Sequence, residues 1–132
     1  MPVLVRGQAN DCGNPVLIMS ATVGNNPVDL AALSFQVFDK TGSTLVQVHP
    51  SSPGAREIVS LDPCPLGDRF DAGRYVARWI VPLNEPIGLH EIRWHLKLTP
   101  TSVERTFTEE FFVAEQSVAE PVSYVTIEQL RE

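Results

Sequence analysis

The sequence predicts an all-β protein: an antiparallel fold of about 7–8 short strands followed by an extended C-terminal arm. Three observations carry this. Short runs with apolar side chains at every second position recur along the chain, each bounded by Gly, Pro, Asn or Asp. Eleven prolines are spread over 132 residues, which keeps the elements short. The chain also lacks a long segment of helical period. Together these point to strands packed in layers, residues 1–115, with the arm at 116–132.

In chain order, Val3–Arg6 is a short apolar run suited to an edge strand. Gln8–Pro15 reads as a loop, because Asn10, Asp11, Gly13, Asn14 and Pro15 all favour turns. Val16–Val23 alternates, with Leu17, Met19, Ala21 and Val23 as the expected core face. Gly24-Asn25-Asn26-Pro27 then breaks the run. Val28–Leu33 has room for one helical turn at most, too short to stand alone. Leu33–Asp39 is the next strand, and Asp39-Lys40-Thr41-Gly42 is a hairpin signal returning through Thr44–Val48. Arg56–Leu61 makes one more short strand, and Asp62–Arg69 is a proline-rich corner.

Two stretches alternate most clearly. In Asp71–Val81, Tyr75, Ala77, Trp79 and Val81 share a face, with Arg74, Val76, Arg78 and Ile80 opposite. In Leu89–Leu98, His90, Ile92, Trp94, Leu96 and Leu98 share one face, and Glu91, Arg93, His95 and Lys97 form a charged face expected to meet water. Thr106–Val113 closes the domain, with Phe107, Glu109, Phe111 and Val113 on one side. Phe112 falls on the other, where with Val76 and Ile80 it is expected to form an exposed apolar patch, an interface or a surface covered by the arm. In the arm, Thr126 and Gln129 have capping-box spacing, consistent with one or two helical turns. A segment that short must pack on its own domain, dock onto a partner or fray.

The totals exclude several classes. Sixteen acidic against 10 basic residues give a net charge of −6 with no basic run, which disfavours nucleic-acid binding. No stretch approaches the ~20 apolar residues of a membrane span, and the N-terminus lacks the apolar run of a signal peptide. Synthesis and retention in the cytoplasm are therefore expected, unless the protein leaves as part of a particle. Cys12 and Cys64 both sit in turn-like contexts, and free thiols are the expectation in a reducing compartment, with pairing left open.

No catalytic pattern emerges. His90 and His95 lie on opposite faces of one strand and cannot share a metal from it. Asp62, Asp68 and Asp71 crowd one corner, where three carboxylates offer a calcium site, but their spacing is not that of an EF-hand loop. Solvated turn carboxylates are the simpler account. A Gly-x-Ser-x-Gly motif and a glycine-rich phosphate loop are both missing. Trp79 and Trp94 suit either a sugar-stacking platform or the core, and their aliphatic neighbours favour the core. The expectation is a non-enzyme without cofactor or metal.

Three resemblances add to this. Asp71-Ala72-Gly73-Arg74-Tyr75-Val76-Ala77 resembles the Asp-x-Gly-x-Tyr-x-Cys signature of immunoglobulin-like domains. It implies an Ig-like β-sandwich with a tyrosine corner before the penultimate strand, in which Asp71 and Gly73 shape the turn and the Tyr75 hydroxyl bonds backbone nearby. Ala77 stands where that family's cysteine would be, so the antibody-type bridge is absent. The ordered elements Gly24–Val28, Phe35–Gly42, Gly73–Tyr75, Pro86–Ile92 and Phe111–Val113 resemble macroglobulin-type and bacterial Ig-like modules, which are mechanical or adhesive. Tyr124-Val125-Thr126-Ile127-Glu128-Gln129-Leu130-Arg131 resembles segments that open head–tail connector proteins of tailed bacteriophages. These resemblances imply a structural virion protein of a tailed bacteriophage, at the head–tail neck or decorating the capsid. Its partners would be capsid, portal or neck subunits and further copies of itself, engaged through Phe112, Tyr124, Val125, Ile127 and Leu130. The alternative is an Ig-like module that binds a carbohydrate or host surface.

Overall fold

The computed structural model describes residues 1–64 and 68–115, and these form an all-β structure without a helix. The strands are β1 (Val3–Val5), β2 (Ala9–Asn10), β3 (Ile18–Ser20), β4 (Thr22–Val23), β5 (Asn26–Pro27), β6 (Ala32–Asp39), β7 (Val46–His49) and β8 (Glu57–Ile58). β9 (Arg69–Asp71), β10 (Arg74–Val76), β11 (Trp79–Ile80), β12 (Gly88–Lys97) and β13 (Arg105–Ala114) follow. The segment 28–31 forms no helical turn. Leu30 is buried, and the chain runs from it directly into β6.

The largest sheet has the order β1-β13-β12-β6-β7, with β8 also on β6. Its pairs are antiparallel except β1, which runs parallel to the end of β13 from Val3–Phe112 to Val5–Ala114. A smaller sheet has the order β3-β10-β9, and β11–β2 and β4–β5 are two-stranded. Leu33, Phe35, Val37, Ile92, Trp94, Leu96, Phe111 and Val113 on one face of the large sheet join one buried cluster with Leu17, Ala21, Tyr75, Ala77, Trp79 and Val81. Both tryptophans are core residues.

The stretch expected as one strand over Asp71–Val81 is two. β10 pairs with β3 and β11 with β2, and the chain changes sheets at Ala77–Arg78. Asn10, read from sequence as loop, holds that junction. Its Nδ2 donates to the carbonyls of Leu17 (3.2 Å) and Ala77 (2.6 Å), and its Oδ1 accepts from the N–H groups of Val16 (2.7 Å) and Leu17 (2.9 Å). Every polar position of this buried amide is used.

Further expectations need correcting. Cys12 and Cys64 are joined in a disulfide across a sequence separation of 52 residues, not left as thiols. The charged face of β12 does not simply meet water: Glu91 and His95 are buried, Glu91 paired with Lys40 and Arg93 and His95 bonded to Gln36 and Thr106. Val76 is also fully buried, so it contributes nothing to an exposed patch.

Candidate functional site

β13 changes character along its length. Residues on one face of a strand alternate, so Arg105, Phe107, Glu109, Phe111 and Val113 all point toward the opposing layer. Phe111 and Val113 are fully buried there, whereas Phe107 is 50% exposed. The opposing layer is simply not above it. Between the β3–β4 segment and the first half of β13 lies a groove of about 470 Å³, whose apolar lining includes Met19, Val23, Leu30, Trp94, Leu98 and Phe107. Val23, assigned to the core from its alternation, stands 57% exposed on the rim.

The groove is bordered by strand edges. β12 covers one side of β13 from Leu96–Arg105 to Gly88–Val113, but β1 covers the other side only at Phe112–Ala114. Among the described residues no strand pairs with that second side from Arg105 to Glu110, and none with the outer side of β3. An unpaired edge offers backbone N–H and C=O groups to an added strand. Burial raises the carboxyl pKa of Glu109 at this rim above the ordinary carboxylate value.

The polar residues elsewhere are engaged structurally. His90, buried opposite Phe111, places Nδ1 3.0 Å from the Gly88 carbonyl and Nε2 2.8 Å from the Glu85 carboxylate. A carbonyl only accepts, so Nδ1 carries a proton, and a second proton bridges Nε2 and Glu85. Burial alone would lower the pKa of His90, but the bonds from Glu85 and Gly88 and the charges of Glu85 and Asp39 together raise it. Asp39, Glu85 and His90 bring one ligand atom each within 4.8 Å, a spacing compatible with a metal. The Glu85–His90 bond already uses two of the three.

His95, on the opposite face, has the reverse electrostatics. Its Nε2 lies 2.8 Å from Gln36 Oε1 and its Nδ1 3.0 Å from the Thr106 hydroxyl. The amide oxygen requires Nε2–H, and the hydroxyl satisfies Nδ1 as donor, so the neutral ring fits both partners. Burial and the positive charges of Arg56 and Arg93 lower its pKa, outweighing the opposite pull of Glu104. Gln36 passes the chain on to Gln47 (3.0 Å), whose amide donates to the carbonyls of Pro50, Ser52 and Ala55. The Arg93 guanidinium lies 4.3 Å from the centre of the Phe38 ring. This face is a self-satisfied network.

The residues singled out from sequence are placed as follows. Gly73 has φ +69°, and a Cβ there would come within 2.6 Å of the Ala21 carbonyl, so both conformation and space require glycine. Asp71 pairs with Arg74 through β9, and its side chain lies outside the described residues. Tyr75 lies in β10, whereas the penultimate strand is β12. Its hydroxyl accepts the N–H of Leu30 at 2.8 Å, a partner 45 residues away in place of the neighbouring backbone expected. This bond fixes Leu30, a wall of the groove.

Of the acidic corner, Asp62 is exposed, while Asp68 is buried against Arg78 and accepts the Ser60 N–H at 3.1 Å. Phe112 is 38% exposed and Ile80 68%. Trp79 and Trp94, at 5% and 1% exposed, present no ring face for a sugar. Tyr124, Val125, Ile127 and Leu130 lie outside the described residues. The groove itself escaped the sequence. Its one visible sign was that Phe107 and Glu109 share a face, an apolar side chain beside a charge where a buried strand would be uniformly apolar.

No family model matches the chain, and neither a curated protein nor a solved structure does.

Proposed function

We propose that this chain is an Ig-like structural virion protein of a tailed bacteriophage, placed at the head–tail neck or on the capsid surface and assembled by shape without catalysis. The observation that carries it is the groove: an apolar trough bordered by strand edges that no described strand pairs with suits association with another polypeptide. The Ig-like part of the reading is supported by the strand partition. β6, β12 and β13 share one sheet and β3, β10 and β9 the other, as strands C, F, G and B, E, D do in that fold. The Cys12–Cys64 disulfide suits a protein that works outside a reducing compartment.

In this reading the folded body is a rigid block, and the arm with Tyr124, Val125, Ile127 and Leu130 joins it to its neighbours, further copies and other capsid, portal or neck subunits. An arm that orders on binding covers much surface with few residues. Deleting Val122–Glu132 is expected to leave a folded protein that no longer enters the particle, as read by its content in purified virions. Normal incorporation of the deleted chain contradicts the proposal, as does a gene neighbourhood without capsid, portal or tail genes.

A further inference from the structure

The geometry points to one occupant for the groove: the segment Val122–Ile127 of a neighbouring copy of this chain, added to the free edge of β13 as a further strand. This rests on the reading that the arm drives assembly, and names where the arm lands. The groove lies between that edge and the outer side of β3, with which no described strand pairs.

The segment Val122-Ser123-Tyr124-Val125-Thr126-Ile127 consists of β-branched and aromatic residues apart from Ser123, the composition that suits a pleated, half-buried strand. It has as many residues as the open edge Arg105–Glu110, so edge and strand match in length. Val125 and Ile127 share a face and would turn toward Met19, Trp94 and Phe107. Pro121 stands just before the segment, where a missing N–H costs no ladder bond.

The exit point of the chain favours a neighbour over the same molecule. β13 ends at Ala114, beside Val5, with the Ala114 carbonyl accepting the Arg6 N–H at 3.1 Å. The groove lies at the other end of the strand. To fill it in the same molecule, the arm would have to double back over β1, which already occupies the edge at Phe112–Ala114. A groove on one copy and an arm on the next make a head-to-tail contact, which closes into rings or runs on as filaments.

The test uses the full chain and two kinds of variant. F107D, with V23D as its independent counterpart on the opposite wall, places a charge in the groove at half-exposed positions that the fold tolerates. V125D/I127D spoils the arm. Light scattering is expected to find concentration-dependent assemblies of the parent chain and monomers of each variant alone. An equimolar mixture of F107D and V125D/I127D is expected to give a one-to-one heterodimer, because one partner keeps its groove and the other its arm. A mixture that stays monomeric overturns the exchange between copies, as does a parent chain that is monomeric throughout. If V125D/I127D is monomeric while F107D and V23D assemble like the parent, the arm drives assembly but lands elsewhere, and only this inference falls. If V125D/I127D assembles like the parent, the reading beneath it falls too.

Discussion

The two ends of the β12–β13 pair differ in nearly every respect, although one ladder runs through both. At the Gly88–Val113 end, β1 covers the outer edge, Phe111 and Val113 are buried, and His90 is held by Glu85 with its pKa raised. At the Leu96–Arg105 end, no described strand pairs with the outer edge, Phe107 is half-exposed over a groove, and His95 is held neutral by Gln36 and Thr106 with its pKa lowered. The first end is finished by this chain alone. The second has apolar surface and backbone hydrogen-bonding groups left over, and native proteins rarely expose both together without a use for them.

Truncation separates the two ends most sharply. Phe111→Ala removes a fully buried ring and is expected to cost about 3–5 kcal/mol, read by denaturant unfolding. Phe107→Ala, on the same face of the same strand, is expected to cost less than about 1 kcal/mol because half of its ring already meets water. Equal losses would mean that the groove is closed in solution and the contrast is false.

The next largest effect lies at the finished end. Glu85→Ala leaves the buried His90 Nε2 without a partner. His90 can shed its proton, which limits the damage, so about 2–3 kcal/mol is expected. Tyr75→Phe tests a groove wall, since it strands the buried Leu30 N–H and is expected to cost about 1–3 kcal/mol. No loss of stability would show that Leu30 is held by its packing alone.

The smallest effects are those of pH, and they have opposite signs at the two ends. His90 has a raised folded pKa, so its contribution is complete below its unfolded value of 6.5 and is lost as pH rises through the folded value. His95 has a lowered folded pKa. Its contribution is complete above 6.5 and is lost as pH falls toward the folded value, because the unfolded chain takes up the proton first. Glu85→Gln is therefore expected to flatten the stability profile on the alkaline side of 6.5 and His95→Gln on the acid side. Midpoints of urea unfolding across that range would show it, and a pair of variants that flatten the same side would contradict the assignment.

Much of this was legible in the sequence. The alternation in Leu89–Leu98 placed His90, Ile92, Trp94 and Leu96 toward the core, and the hairpin signal at Asp39–Gly42 lies between paired strands. Periodicity tells which side chains share a face but not what lies above that face. The alternation assigns Glu91 and His95 to water because it cannot show their partners from other parts of the chain, Lys40 for Glu91 and Gln36 and Thr106 for His95. For the same reason Phe107 looked like Phe111. Asn10 looked like a turn residue because asparagine favours turns, and only the folded chain brings Val16, Leu17 and Ala77 around it. The pairing of Cys12 with Cys64 depends on a Cα–Cα distance of 6.0 Å that no spacing in sequence reveals.

Amide hydrogen exchange of the full chain, dilute and concentrated, tests most directly whether the open end of β13 is an acceptor edge. The dilute protein is expected to exchange the outward amides of Arg105–Glu110 quickly and those of Phe112–Ala114 slowly. On assembly the Arg105–Glu110 amides are expected to become protected together with those of Val122–Ile127. Assembly that leaves the Arg105–Glu110 amides as fast as in the dilute protein would contradict the account.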